Sequence, residues 1–341
     1  MNIEKPRLLV LEWHHLGDAV MSFPFIRGAA DRYEVHVACR PHAAEVFHLL
    51  LPPEQVHGIA PPWLGGGTRE LPNLWRLLRG FDGLVTSWAD ARVGVLMRLA
   101  GCRLRVGLSM TKGNYLGVGI PWRNRLLKNG TRLEWCARKI LGPLYTHEIS
   151  RRDPMQHRLE DWNMVARALD VSPNEVRPWI STKESGPRHG VLICCGARSL
   201  DRDWTGNHAR ELKAAFGLGV EVRVVCGPED RLPDGVDAER CNNAEQLCAA
   251  ISRCELAICN DSFAAHLAFA MGKRVLTIFG PGSPAWFAPG GDMAGAISDP
   301  GCPHHPCLDV CRMPSLICFA AITPEMVVER AGVFLRTIQS G

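Results

Sequence analysis

No stretch of this chain approaches the ~20 consecutive apolar residues that a membrane-spanning helix needs. The first residues do not read as a secretory signal either: Glu4 and Lys5 precede one short apolar run. No G-x-G-x-x-G follows an apparent strand, and no G-x-x-x-x-G-K-[ST] occurs, which argues against a nicotinamide dehydrogenase and a P-loop NTPase. Gly65-Gly66-Gly67 follows no strand and reads as a flexible loop. Short-period repeats, low-complexity tracts and nucleic-acid-binding signatures are absent too, so nucleic acid ranks last among partners. These absences leave a soluble, cytoplasmic, globular protein.

What is present fits that class. The 341 residues, 46% hydrophobic and 22% charged, suffice for two domains with a core each. Fourteen cysteines are scattered through apparent strands and helices, as reduced thiols are in a cytoplasmic protein. Strand candidates are Leu8 to Leu11, Val35 to Cys39, Gly83 to Ser87 and Leu104 to Leu108, then Gly190 to Cys195, Val220 to Cys226, Leu256 to Cys259 and Arg274 to Phe279. Helical stretches lie between them. This alternation predicts two α/β domains, each with a parallel sheet covered by helices on both faces. Binding loops then gather at the strand C-termini, beside a cleft. The proline-rich stretch 171–188 reads as the linker.

Charge is uneven. Between Arg98 and Arg152 twelve basic residues face two acids, Glu134 and Glu148, with Trp122, Leu126, Leu127, Leu133 and Trp135 interleaved. Such a stretch suits an anionic partner such as a phosphorylated glycolipid or membrane headgroups, or is a solvated basic face.

Asn260-Asp261-Ser262 carries the strongest local signal. An apolar run delivers it to a helix, with Asp261 or Ser262 as N-cap and Gly272 closing the helix. Ser262 and His266 share one face, while Phe263, Leu267 and Ala270 point to the sheet. Free N–H groups, a hydroxyl and an imidazole there make a seat for a diphosphate; the plainer alternative is a capping Asp and a surface histidine. Arg198 and Arg202, in the loop Cys195 to Trp204, are suited to forked contacts with phosphate oxygens, unless Arg202 pairs with Asp201 or Asp203. In the first domain Gly17-Asp18 follows the first strand. Asp18 either takes a proton from an acceptor hydroxyl or caps a helix. Pro24 restarts or kinks the helix that follows. Cys302, Cys307, Cys311 and Cys318, with His304 and His305, form a possible structural zinc or iron site; small buried thiols or a disulfide are the alternatives.

Taken in order, these motifs resemble glycosyltransferase family 9, which includes the ADP-heptose:lipopolysaccharide heptosyltransferases. The resemblance rests on Leu16-Gly17-Asp18-Ala19-Val20 with Phe23-Pro24, on Gly196-Ala197 to Trp204, on Asn260-Asp261-Ser262 to Ala268, on Phe279-Gly280-Pro281-Gly282-Ser283-Pro284, on the cysteine-rich loop and on Ala321 to Glu325. It implies an α/β GT-B fold, two Rossmann-like doubly wound domains facing across a cleft. The domains would be 1–170 for the acceptor and 189–323 for the nucleotide sugar, joined by the linker 171–188. A C-terminal helix in 324–341 would pack back towards the first domain. Asp18 would be the catalytic base. Gly17, Arg198, Arg202, Asp261, Ser262, Phe263 and His266 would bind the donor, Arg202 standing where the family usually has lysine. Phe263 replaces a common glycine, and His14-His15 replaces small serine-like residues.

The resulting reading is an inverting enzyme that needs no cofactor and moves heptose from ADP-heptose to a phosphorylated lipopolysaccharide core, with peripheral contact at the inner membrane face. Its rivals are another nucleotide sugar, a non-lipid acceptor, or a non-catalytic relative that binds a nucleotide sugar or a metal.

Overall fold

A computed structural model gives the structure of the chain. It describes residues 4–109, 121–151, 153, 156–180, 190–197, 203–299, 301–307, 311–315 and 317–339, the side chains of 121–128 and 336–339 excepted. The chain divides into two units, Met1–Val176 and Arg177–Gly341.

In the first unit the elements run β1 (Arg7–Glu12), α1 (Leu16–Met21), α2 (Phe23–Ala29), β2 (Glu34–Cys39), α3 (Ala44–His48), β3 (Val56–Gly58), α4 (Leu71–Leu78), β4 (Gly83–Val85), α5 (Ala91–Ala100), β5 (Leu104–Leu108), α6 (Pro121–Leu141), β6 (His147–Ile149) and α7 (Arg158–Ala168). Six parallel strands lie in the order β3-β2-β1-β4-β5-β6. Central strands such as β1 are buried on both faces, so their sequence is a continuous apolar run rather than an alternation. On one face Leu9, Leu11 and Leu84 meet Leu74, Leu78 and Met97. Pro24 lies in the first turn of α2, where its missing N–H costs nothing, so the chain restarts a helix there after α1.

The second unit runs β7 (Val191–Cys194), α8 (Trp204–Asn207), α9 (Ala209–Phe216), β8 (Val222–Cys226), β9 (Glu239–Arg240), α10 (Ala244–Ser252), β10 (Leu256–Asn260), α11 (Phe263–Ala270), β11 (Arg274–Phe279), α12 (Pro284–Phe287), β12 (Ala294–Ser298) and α13 (Pro324–Gln339). Its parallel sheet has the order β12-β11-β10-β7-β8-β9. Counted from its own first strand, this is the same winding as the first unit. In each sheet the order reverses between the first and fourth strands, and the loops leaving those strands diverge to opposite faces. The switch points are β1/β4 and β7/β10.

Helix α13 buries Val327, Ala331 and Phe334 in the core of the second unit, with Val191, Ile258 and Leu276. No helix among the described residues is long and apolar enough to cross a membrane.

Candidate active site

The β1/β4 switch point of the first unit holds Asp18. It lies in the first turn of α1, is 5% exposed, and accepts the backbone N–H of His15 at 3.3 Å in a capping box. Capping is thus part of its role, but not all of it. Arg158, at the start of α7 and 1% exposed, brings Nε to 3.5 Å from Asp18 Oδ1. The same guanidinium donates to Asp161 and, at 3.3 Å each, to the Ser87 carbonyl and hydroxyl. Asp161 also receives the Arg151 fork at 2.7 and 2.5 Å. Four buried charges therefore alternate in sign: Asp18, Arg158, Asp161, Arg151. Gly17 sits beside Asp18 in the first turn of α1.

Above this row lies Trp88. His14 stacks on it with ring centroids 3.6 Å apart, and the Arg158 guanidinium carbon is 4.0 Å from its centroid. Two groups that close to the centre of one ring cannot share a face, so the indole is sandwiched. Glu12, the last residue of β1, accepts the His14 N–H at 3.1 Å and lies 3.3 Å from His14 Nδ1. Burial pushes the Glu12 carboxyl up to about 7 against the opposing pull of Arg158, and burial also holds the His14 imidazole well below its ordinary value. The sequence pointed to Gly17 and Asp18 here but not to Glu12, Trp88, Arg151, Arg158 or Asp161.

The β7/β10 switch point of the second unit carries a polar network that the sequence reading also missed. The Asn260 side-chain amide donates to Asp203 Oδ1 and Thr205 Oγ1 at 2.7 Å each and accepts the Thr205 N–H at 3.1 Å. Asp203 caps α8 through the Gly206 N–H at 2.7 Å and accepts the Gly196 N–H at 2.9 Å. Gly196 has φ +95°, and a Cβ there would meet the Asp230 carboxylate, so glycine is required. Burial raises the Asp230 carboxyl from its ordinary value, with Asp203 adding to the shift.

Asp261 and Ser262 form the turn into α11. Ser262 is the N-cap, yet its hydroxyl makes no cap bond, and Gly272 ends the segment with φ +73°. Asp261 lies against Gly282, where a Cβ would collide with its carboxylate. Leu267 and Ala270 are fully buried, Phe263 is half-buried, and His266 is buried rather than a surface histidine. The structure thus brings Asp261, Ser262, Phe263 and His266 together at one strand end. Arg198 and Arg202 lie outside the described residues.

Cys302, Cys307 and Cys318 are buried and Cys311 is exposed; all four are free thiols. Burial pushes the Cys318 thiol up to about 11, with the neighbouring Cys307, Cys302 and Cys311 adding to the shift. Among the described residues no group of three or more His, Cys, Asp or Glu is arranged to hold a metal ion.

The profile of glycosyltransferase family 9 (heptosyltransferase) matches residues 137–317, more than half of the chain. The protein belongs to this family. Its fold is that of solved relatives: E. coli heptosyltransferase WaaC with ADP is 14% identical, with 96% of this chain and 99% of that chain covered at a TM-score of 0.66. E. coli ADP-heptose lps heptosyltransferase II is 18% identical, with 98% and 99% covered at 0.66. The iron-containing dodecameric glycosyltransferase TibC from enterotoxigenic E. coli is 14% identical, with 99% and 78% covered at 0.56. Among curated proteins no sequence match is found. The two Rossmann-like units are those of a GT-B glycosyltransferase, and the family makes the chain a nucleotide-sugar glycosyltransferase.

Proposed function

We propose that this glycosyltransferase moves heptose from ADP-heptose to a phosphorylated lipopolysaccharide core acceptor, with inversion at the anomeric carbon. One observation carries the reading: a buried carboxylate, Asp18, sits at the switch point of the first sheet beside a buried cation. Asp18 takes the proton of the acceptor hydroxyl as its oxygen attacks the anomeric carbon, and the bond from that carbon to the diphosphate breaks. Arg198, Arg202, His266 and the turn Asp261-Ser262-Phe263 meet the charge that develops on the leaving diphosphate. Gly17, beside the base in the first turn of α1, belongs with the donor-binding residues. ADP in the WaaC structure supports an adenine nucleotide as donor.

The acceptor side agrees in charge. The described end of α6 exposes Arg132, Lys139, Leu133, Trp135 and Ile140, with the Lys139 ammonium 3.6 Å over the Trp135 ring. A basic face with exposed apolar side chains suits an anionic glycolipid at the cytoplasmic face of the inner membrane. The stacked His14–Trp88 pair beside Asp18 favours, as a second reading, an acceptor other than that of the usual family members.

Asp18→Asn should cost about 10²–10⁴-fold in kcat and leave nucleotide affinity intact; undiminished turnover sinks the assignment. Among nucleoside diphosphates, ADP should stabilise the fold by about 2.7 kcal/mol at a hundred times its Kd. Equal stabilisation by uridine or guanosine diphosphate removes the adenine donor.

A further inference from the structure

We infer that Arg158 is a positioning residue for the transfer reaction, fixing Asp18 as the base, and that it is itself fixed by Asp161, Ser87 and Trp88. This deepens the proposed role of Asp18 and rests on it. Arg158 opens α7 on the buried face that also carries Asp161, Trp162, Val165 and Ala166, so the arginine occupies a position that the helical period gives to the core. A guanidinium 1% exposed needs partners for its charge, and Arg158 finds them in Asp161, Ser87 and Trp88. One edge donates to Asp161 and to Ser87, and one face lies on the indole of Trp88. Nε has no hydrogen bond of its own, and it faces Asp18 Oδ1, which also has none, at 3.5 Å.

That arrangement has two consequences for a base. Asp18 is 5% exposed, and the fixed guanidinium beside it supplies a counter-charge where water has little access. The guanidinium also cannot follow a moving carboxylate, because four other contacts hold it, so the orientation of Asp18 is set by the framework rather than by its own side-chain rotamer. Glu12, the other acid near Arg158, keeps most of its proton below neutral pH, since burial holds its carboxyl up to about 7. When Asp18 receives the acceptor proton, its charge is lost and Arg158 retains Asp161 as counter-charge. The guanidinium therefore stays compensated through the whole step.

A double-mutant cycle tests this. Asp18→Asn, Arg158→Lys and the pair are compared in kcat, in KM for ADP-heptose and in thermal unfolding. Lysine keeps the charge but loses the fork and the stacking plane. Arg158→Lys should lower kcat about 10–100-fold with donor KM nearly unchanged, and should add nothing in the Asp18→Asn background. An equal loss of kcat in both backgrounds, or a fall in unfolding temperature alone, overturns the positioning role. Undiminished turnover in Asp18→Asn overturns the base assignment itself, and Arg158's role with it. Should Arg158→Lys fail to fold, Ser87→Ala removes one anchor without touching a charge. It should give a smaller loss of kcat that again vanishes with Asp18→Asn; a loss that persists there has the same overturning force.

Discussion

Asn260 and Asp203 join the two loops that diverge at the second switch point, through a 2.7 Å hydrogen bond between buried side chains. One comes from the end of β10 and the other from the cap of α8, so the bond ties the Asp261 turn to the loop that carries Arg198 and Arg202. Asn260→Ala leaves Asp203 short of a donor in a buried setting and should destabilise the unit by about 1–3 kcal/mol. If the proposed donor site spans these two loops, ADP should also stabilise this variant less than the wild type. Asn260→Asp sets two carboxylates at that distance and should be worse than alanine at neutral pH. Thermal unfolding with and without ADP checks all three statements, and equal ADP stabilisation in wild type and Asn260→Ala refutes the link to the donor.

Glu12 gives a pH dependence whose sign is fixed by burial. Its carboxyl is raised from 4.5 to about 7 in the folded chain, so between those values the native state binds the extra proton. Stability from this group is therefore fully present below about pH 4.5 and is lost as pH rises through 7. The full excursion is about 3 kcal/mol. Glu12→Gln keeps a neutral side chain at every pH. It should match the wild type near pH 4.5 and exceed it above pH 7, as read by urea unfolding at both ends. Parallel curves for the two proteins would show that Glu12 does not titrate in this window.

The strands that the sequence hid share one property. The eight strands expected from apolar runs all exist, and the four that were not expected are β3, β6, β9 and β12. These are the four edges of the two sheets. An edge strand is half solvated and pairs on one side only, so it needs no long β-branched run, and Val56-His57-Gly58 or Glu239-Arg240 carries too little pattern to be seen. The site was legible to a similar degree. Asp18 and Asp261 announce themselves because each follows an apolar run at a helix start. Arg158 does not, because its partner is far away in sequence and only packing of α7 brings it to β1. A trace was present nonetheless: Arg158, Asp161, Trp162, Val165 and Ala166 follow the helical period, with an arginine and an aspartate in apolar positions. Asn260 and Asp203 were hidden for a similar reason, since each reads locally as a loop residue and only the winding of the sheet makes them neighbours.

The basic face of α6 yields a prediction about the acceptor. Glu134, an acid within its described part, is fully buried and bonded to Arg138 and Ser109, so it does not neutralise the exposed Arg132 and Lys139. If these cations meet an anionic glycolipid, Arg132→Glu with Lys139→Glu should raise the acceptor KM several-fold at low salt and leave kcat and donor KM alone. Salt should erase the difference, because the Debye length falls from ~10 Å at 0.1 M to ~3 Å at 1 M. Trp135→Ala should act otherwise. It removes apolar contact area rather than charge, so its effect on acceptor KM should persist at high salt. Steady-state kinetics across a salt series separates the two contributions. An acceptor KM that ignores salt in the wild type, or that is unmoved by reversing both charges, would detach α6 from acceptor binding while leaving the donor site and Asp18 untouched.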